Sequence, residues 1–240
     1  MSALFVSDLH LDASRPAATE AFLDFLQTAV NPNDRLYILG DLFEYWIGDD
    51  DPNAHYRAVL AGLRALTDSG ARCFVMHGNR DFMLGEDFTT ETGTELLFDP
   101  TLIYVGEHSV LIGHGDLLCS DDLNYQRLRR IVRNPLTQSI VRSLPLSFRH
   151  WLANRTRARS KQNYERKAPE ILDVNQKTVE QTMREFNVDV ILHGHTHRRA
   201  IHRFELDGQE RMRIVLGDWY QEGSVLRWDD AGPAMAPLSF

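Results

Sequence analysis

The sequence predicts an α/β fold in which strands and helices alternate and are interrupted once by a helical insertion. Short apolar runs recur along the chain and are separated by stretches with helical spacing, which is typical of sheets covered by helices. Five of these runs end abruptly in Asp, His or Asn. Residues 36–39, followed by Gly40 and Asp41, give the pattern that the others repeat: a buried strand delivers a polar side chain out of the core.

The first half of the chain alternates strands with helices. The first helix is expected to begin at Pro16, whose fixed φ suits a first helical turn, and Phe22 and Phe25 lie on its apolar stripe. The acidic run 49–51 is predicted to be a solvated loop that leads into a helix. Strands are predicted over 3–7, 36–39, 72–76, 95–98, 101–105 and 109–113, and further helices over 53–68 and 85–92.

The second half begins with an uninterrupted helical stretch, which Pro135 and Pro145 divide. Apolar runs near the C-terminus then predict closing β structure. Helices are predicted over 121–133, 135–143, 145–160 and 176–187, a strand over 188–192, and closing strands near 200–206, 212–217 and 224–228.

Composition limits the classes of protein to which the chain can belong. Its 240 residues, 43% of them hydrophobic, suffice for one large core with a small insertion. Apolar runs of about 18 residues are missing from the sequence, as is a secretory signal pattern, so we expect neither a transmembrane helix nor a signal peptide. Cys73 and Cys119 form no CxxC pair, which favours a reducing compartment.

The five strand ends carry residues that suit metal ligation. Taken singly, each is weak evidence, because Asp or His after a strand more often begins a turn or caps a helix. Together they supply carboxylate, imidazole and amide ligands without thiolate, a set that fits Mn²⁺, Fe²⁺ or Zn²⁺. Asp41 is the natural bridging carboxylate. The five motifs are Asp8-x-His10, Gly40-Asp41, Gly78-Asn79-Arg80-Asp81, His114-Gly115-Asp116 and Gly194-His195-x-His197.

These five motifs, in this order, resemble those of the calcineurin-like metallophosphoesterases. The resemblance implies two packed β-sheets flanked by helices, with metal ligands at the strand ends. It implies one metal held by Asp8, His10, Asp41 and His197, and a second held by Asp41, Asn79, His114 and His195. Two such metals can activate water and clamp a phosphoryl group. Asp81 would orient a ligand through a hydrogen bond.

Further segments are similar to the UDP-2,3-diacylglucosamine hydrolases of lipid A biosynthesis, nearly from end to end. The segments are 7–11, 37–44, 46–50, 77–82, 173–176, 193–198 and 216–219. The resemblance implies an enzyme with two Mn²⁺ ions per chain, peripheral on the inner face of a Gram-negative inner membrane. It would attack the α phosphate of UDP-2,3-diacylglucosamine with a metal-activated hydroxide, releasing UMP and 2,3-diacylglucosamine 1-phosphate.

The same resemblance assigns individual residues. The catalytic residues would be Asp41, Asn79, Arg80 and His114, and the substrate contacts Asn79, Arg80, Asp122, Ser160, Tyr164, Lys167 and His195. Tyr164 departs from the family, which often has a small polar residue there. Many members of the wider superfamily carry His in place of Arg80, and Arg cannot protonate a leaving group near neutral pH. Arg80 therefore favours a leaving group that needs no proton, such as a phosphate.

Positive charge is concentrated in the predicted helical insertion, residues 121–167. Residues 126–167 carry twelve basic residues and one acid, in a chain with 26 basic and 34 acidic residues. One interpretation is a helical hairpin with a solvated basic face. The other is a cap on a core formed by 1–120 and 168–240: its apolar residues would line an acyl-chain groove, and its arginines would face an anionic membrane. The apolar residues are Leu136, Ile140, Val141, Leu144, Leu146, Phe148, Trp151 and Leu152.

Three other functions fit parts of the pattern. Another phosphoesterase of the same fold is disfavoured by Arg80 and the basic insertion. A scaffold that lost its metals is disfavoured by the complete set of ligands. Nucleic-acid binding would need aromatic residues interleaved with the positive charge, and the insertion offers mainly Leu, Ile and Val. No obligate protein partner is indicated.

Overall fold

The computed structural model describes residues 2–52, 54–166 and 171–240, and over 159–166 it describes the backbone alone. The strands are β1 (Ala3–Val6), β2 (Arg35–Ile38), β3 (Arg72–Met76), β4 (Glu95–Leu97), β5 (Thr101–Val105), β6 (His108–Gly113), β7 (Val190–His193), β8 (Ala200–Leu206), β9 (Gln209–Val215), β10 (Gly223–Asp229) and β11 (Gly232–Leu238). The helices are α1 (Pro16–Thr28), α2 (Arg57–Asp68), α3 (Glu86–Thr92), α4 (Leu123–Val132), α5 (Pro135–Arg142), α6 (Leu146–Arg166) and α7 (Gln176–Phe186).

The strands form two mixed sheets. One has the order β11-β10-β1-β2-β3-β4 and the other β5-β6-β7-β9-β8. In the first sheet β1, β2 and β3 are parallel, with Val6, Ile38 and Val75 in register. In the second, β6, β7 and β9 are parallel, with Gly113 beside His193. The segments that follow parallel neighbours leave the sheet at the same edge, so the polar strand ends predicted from sequence lie together.

Successive side chains of each strand point to opposite faces of its sheet, and this alternation separates the layers of the core. In β1, Leu4 and Val6 face the helices, whereas Phe5 faces the second sheet. Between the two sheets, Phe5 stacks on Tyr37 with their ring centroids 4.9 Å apart. On the outer face of the second sheet, Val179 of α7 packs against the β6 and β7 residues. The predicted α/β class with flanking helices is confirmed.

Two features of the fold were not predicted. Strand β11 pairs antiparallel with β10 at the edge of the first sheet. Its sequence includes Pro233 and Pro237, which are unfavourable within a sheet but are tolerated on an edge strand. Helix α6 extends to Arg166, beyond the predicted end at residue 160.

The acidic run 49–51 is a loop, as predicted, but it is not wholly solvated: the Asp50 side chain is 59% exposed and that of Asp51 only 11%. Asp49 accepts hydrogen bonds from the Trp46 indole at 2.8 Å and from the peptide nitrogens of Gly85 and Phe88 at 3.0 and 3.1 Å. Asp50 forms a two-pronged ion pair with Arg149, a buried residue of α6. The run therefore binds both the start of α3 and the insertion.

The helices α4 and α5 of the insertion expose most of their apolar side chains. Neither helix contains a buried residue. Leu136 and Ile140 of α5 are 70% and 57% exposed, and Trp151 of the following helix α6 is 51% exposed. Exposed apolar side chains this large and this close in sequence are typical of a surface that binds a lipid or a partner. None of the helices in the described ranges is long and apolar enough to cross a membrane.

Candidate metal centre

The side chains of the site stand on turns with an unusual backbone. Five residues adopt positive φ: 56° at Asp8, 48° at His10, 53° at Asp41, 67° at His195 and 58° at His197. Residues other than glycine rarely occupy this left-handed region, and when they do they concentrate at functional sites. The strained turns redirect each side chain away from its strand and toward a common point.

One group of ligands gathers around Asp8. Single ligand atoms of Asp8, His10 and His197 lie within 4.8 Å of one another. Asp8 Oδ1 lies 3.3 Å from His197 Nε2, and His10 Nε2 lies 3.7 Å from Asp41 Oδ2. Both Asp8 and His10 are buried, so the group forms the floor of the site.

A second group gathers on the other side of Asp41. Asp8, Asp41 and His114 also offer ligand atoms within 4.8 Å of one another. Asp41 Oδ2 lies 3.9 Å from His114 Nε2. Asn79 Oδ1 lies 3.0 Å from His114 Nε2 and 3.0 Å from His195 Nδ1. The structure thus brings all seven predicted ligands together, with Asp41 between His10 and His114 and with Asp8 common to both groups.

The electrostatics of the cluster suit a cation. Burial alone would raise the pKa of Asp8, but the charges of His197 and His114 hold it well below its usual range. Burial would lower the pKa of His197, but the Asp8 and Asp218 carboxylates raise it to about 10. Burial and His114 lower the pKa of His195 to about 4. The cluster therefore holds ionised carboxylates, and a metal ion would take the place of the proton on His197.

Orphaned polar atoms point to the same conclusion. His10 Nε2 is buried and makes no hydrogen bond with any part of the chain that the structure describes, and buried Asp8 Oδ1 has only the ring nitrogen of His197 near it, at 3.3 Å. Such atoms destabilise a fold unless something pairs with them. A divalent cation ligated by oxygen and nitrogen would pair with both, so these residues fit the metals that the motifs predict.

Comparison with known proteins decides the family. The family model for calcineurin-like phosphoesterases matches residues 1–199. A UDP-2,3-diacylglucosamine hydrolase of Pseudomonas aeruginosa PAO1 is 48% identical over 238 residues, which cover 99% of each chain. The chain belongs to the UDP-2,3-diacylglucosamine hydrolase family, within the calcineurin-like phosphoesterases. The resemblance read from the motifs is confirmed.

Other relatives agree with this family. A UDP-2,3-diacylglucosamine hydrolase of Pseudomonas fluorescens Pf0-1 is 47% identical over 237 residues, covering 99% of this chain and 96% of the relative. Among solved structures, an archaeal phosphodiesterase superimposes with a TM-score of 0.50 and 14% identity, covering 99% of this chain and 100% of that chain. This second likeness supports the fold alone.

In this hydrolase family member, Asp81 organises the turn that carries Asp41. Its carboxylate accepts hydrogen bonds from the peptide nitrogens of Gly78 and Leu42, both at 2.8 Å. Burial and the nearby charge of Asp41 raise the pKa of Asp81 to about 6. Gly78 permits this arrangement, because a Cβ there would lie 2.0 Å from Asp41 Oδ1. Asp81 therefore binds two backbone segments of the site.

Sequence reasoning missed two carboxylates behind the histidines. Glu44 Oε2 lies 3.1 Å from His10 Nδ1, and Asp218 Oδ2 lies 3.1 Å from His197 Nδ1. A carboxylate in this position fixes the ring and leaves the other nitrogen to face a metal. Asp218 could have been found, because Gly217-Asp218 follows strand β9 as Gly40-Asp41 follows β2.

Sequence reasoning also missed an ionic cluster that joins the insertion to the site. Arg129 of α4 donates to Asp116 Oδ2 at 2.7 Å and to Asp99 Oδ2 at 2.8 Å. Asp99 in turn accepts from the peptide nitrogen of His114 at 3.1 Å. Arg133 donates to the Gly78 carbonyl oxygen at 3.0 Å. The first helix of the insertion is thus held against the turns that carry Asn79 and His114.

Arg80 lies beside the metal ligands. Its peptide nitrogen donates to Asp41 Oδ1 at 2.8 Å. Its Nε is buried and has no hydrogen-bond partner among the described residues. A guanidinium nitrogen left in this state is suited to an anionic oxygen of a ligand.

The remaining predicted substrate contacts are placed only in part. Asp122 caps α4, where its side chain accepts a hydrogen bond from the Tyr125 peptide nitrogen at 3.1 Å. Ser160 and Tyr164 fall on α6 at positions whose side chains are not described, and Lys167 lies outside the described residues.

Proposed function

We propose that this protein hydrolyses the pyrophosphate bond of UDP-2,3-diacylglucosamine, giving UMP and 2,3-diacylglucosamine 1-phosphate. One observation carries the proposal: relatives with that printed activity match the chain over 99% of its length at 48% identity. The cluster of carboxylate, imidazole and amide ligands at the edge of both sheets supports it.

The proposed cofactors are two Mn²⁺ ions per chain. Asp8, His10, Asp41 and His197 would hold one, and Asp41, Asn79, His114 and His195 the other. When bound, the metals would supply Lewis acidity and an activated water for attack on the α phosphate. The described contacts support Asp41 as the shared ligand, because Oδ2 lies within 4 Å of ring nitrogens on both His10 and His114.

The protein's own catalytic residues would act by charge and position. We assign Asp41, Asn79, Arg80 and His114 to this role. Arg80 would bind a phosphate oxygen through donors in a fixed planar arrangement. Asn79, whose Oδ1 lies 3.0 Å from ring nitrogens of both His114 and His195, would hold the second metal with them. Since an arginine side chain cannot give up a proton near neutral pH, the leaving group would depart without receiving one, as a sugar phosphate can.

The insertion, residues 121–167, would act as a cap over the 1–120 and 168–240 core. Its exposed apolar side chains, Leu136 and Ile140 among them, would line a groove for acyl chains. Asp122, Ser160, Tyr164 and Lys167 would contact the sugar and phosphate groups, with Asn79, Arg80 and His195. The basic residues would hold the enzyme at the inner face of a Gram-negative inner membrane, as a peripheral cytoplasmic protein that binds no nucleic acid.

The deciding experiment is hydrolysis of UDP-2,3-diacylglucosamine with Mn²⁺ in water enriched in oxygen-18. We expect the label on UMP, because attack at the α phosphorus places the new oxygen there. Asp8→Asn, measured in parallel, should release no UMP. Label on the sugar phosphate would refute attack at the α phosphorus, and hydrolysis of simple nucleotides but not of this substrate would favour another phosphoesterase function.

If the insertion is a cap, its charged and its apolar residues should affect two different properties: binding to membranes and recognition of the acyl chains. Arg127→Gln/Arg130→Gln should weaken binding to anionic vesicles by roughly 30-fold at low salt, at about 1 kcal/mol per charge, and the difference should shrink as salt rises. Leu136→Ser/Ile140→Ser should instead reduce the preference for diacylated over deacylated substrate, at any salt. Vesicle sedimentation and competition kinetics measure the two properties.

The control for this prediction removes the same charge elsewhere. Arg57→Gln/Arg64→Gln alters two exposed arginines of α2, on the core. We expect wild-type vesicle binding from this control. Equal weakening by both double variants would contradict a specific role for the insertion.

A further inference from the structure

Glu44 lies between the metal centre and the insertion and contacts both. Its Oε2 atom lies 3.1 Å from His10 Nδ1. Its other oxygen, Oε1, accepts from Arg157 of α6, with Nη2 at 2.9 Å and Nε at 3.2 Å. One carboxylate thus uses one oxygen for a proposed metal ligand and the other for the insertion.

On the core side, Glu44 is fixed. Its peptide nitrogen donates to the Leu11 carbonyl oxygen at 3.0 Å. The Leu11 peptide nitrogen donates to the Leu42 carbonyl oxygen at 2.9 Å, and that of His10 to the Asp41 carbonyl oxygen at 2.9 Å. The two turns are therefore bound together by backbone hydrogen bonds. Movement at Glu44 is therefore restricted to its side chain and to Arg157, its partner on α6.

On the insertion side, Arg157 is a second attachment of α6. Arg149, near the start of α6, is anchored to Asp50. Arg157 follows eight residues later, about 12 Å further along the helix axis. Its guanidinium lies 5.2 Å from the Tyr45 ring centroid and is partly exposed. The link from Arg157 to Glu44 therefore sets where the middle of α6 lies relative to the core.

We propose that Glu44 is a positioning residue that couples occupancy of the His10 metal site to the placement of α6. A cation held by His10 would polarise the ring and strengthen the attraction of Nδ1 for Glu44 Oε2, which already lies 3.1 Å away. A firmly held Glu44 presents a fixed acceptor to Arg157. Coupling of this kind is reciprocal, so a seated α6 also favours the metal. The inference rests on the proposed metal centre.

Among the described contacts, no other histidine ring of the site has a carboxylate behind it that also binds α6; Asp99 joins the peptide nitrogen of His114 to Arg129, but on α4. Asp218 lies behind His197 but accepts from the peptide nitrogen of Tyr220, outside the insertion. His114 Nδ1 lies 3.0 Å from a carbonyl oxygen, that of Leu39. Asp218→Asn is consequently a matched control: it removes a carboxylate behind a histidine of the same group without touching α6.

The test is amide hydrogen exchange of peptides covering residues 146–158 in the full-length protein, without and with saturating Mn²⁺. We expect Mn²⁺ to slow exchange in the wild type. Glu44→Gln and Arg157→Met should lose this slowing. Asp218→Asn should keep it, as should Arg155→Met, whose guanidinium lies over Trp151 and not over Glu44. By Mn²⁺ titration, Glu44→Gln and Asp218→Asn should each bind metal roughly 10- to 100-fold more weakly.

Each remaining outcome counts against a definite claim. Mn²⁺ uptake by the wild type without slower exchange in α6 would overturn the coupling and leave the proposed function standing. Slowing that persists in Glu44→Gln, measured at saturating Mn²⁺, would do the same. A wild type that takes up no Mn²⁺ would overturn both the metal centre and the coupling.

Discussion

Asp41→Ala should bind neither metal ion and should lose all detectable hydrolysis. Asp41 Oδ2 lies 3.7 Å from His10 Nε2 and 3.9 Å from His114 Nε2, so the same oxygen serves both sides of the site. Loss of this carboxylate removes negative charge from both metal positions at once. His10→Ala affects only one group, so it should keep residual activity that high Mn²⁺ restores.

Metal content of the purified variants, measured by mass spectrometry, checks this expectation alongside turnover. Asp41→Asn belongs in the series, because asparagine tolerates the positive φ of this turn and keeps an acceptor for the Arg80 peptide nitrogen. Asp24→Ala, an exposed acid on α1, is the control and should behave as wild type. Full occupancy of two metals in Asp41→Ala would rule out the shared ligand.

Arg80→Ala should lower kcat by roughly 100- to 1,000-fold, the usual cost of removing one donor aimed at developing charge. Arg80→Lys should also be poor, because a single ammonium cannot replace the planar guanidinium. Arg80→His should not restore the rate, since the proposed leaving group needs no proton.

Steady-state kinetics on the proposed substrate, with metal content checked for each variant, measure this effect. Arg203→Ala removes an exposed arginine of β8, which pairs with Glu210, and is the control for loss of positive charge. A near wild-type rate in Arg80→Ala would exclude a direct role for the side chain.

The sequence was most informative where chemistry coincides with the end of a strand. Asp8, Asp41 and His114 each follow a short apolar run. Parallel pairing of β1 with β2 places Asp8 beside Asp41, and packing of the second sheet against the first then brings His114 to them. Asp218 also follows a strand and carries the same signal, but Glu44 could not be assigned in this way. The role of Glu44 depends on side-chain direction across two turns, which hydrophobic periodicity does not encode.

The elements themselves show the same contrast. α1 begins at Pro16 as predicted, because the signal is local. Strand β11 was missed because its prolines oppose a strand locally, whereas its pairing with β10 is a property of the finished sheet. Asp49 was read as solvated because its partners, Trp46, Gly85 and Phe88, are brought to it only by folding.

The left-handed turns under the metal centre have a consequence for how this enzyme can evolve. Each of the five residues has a left-handed backbone conformation that is strained when a Cβ is present. Glycine there would remove the strain, which is about 1–2 kcal/mol per position. Selection for heat resistance alone would therefore favour glycine at these positions and erase the ligands. Selection for growth that depends on the enzyme's activity would retain Asp and His at these positions, at the expense of melting temperature. Libraries screened in the two ways should diverge first at these turns, well before the core changes.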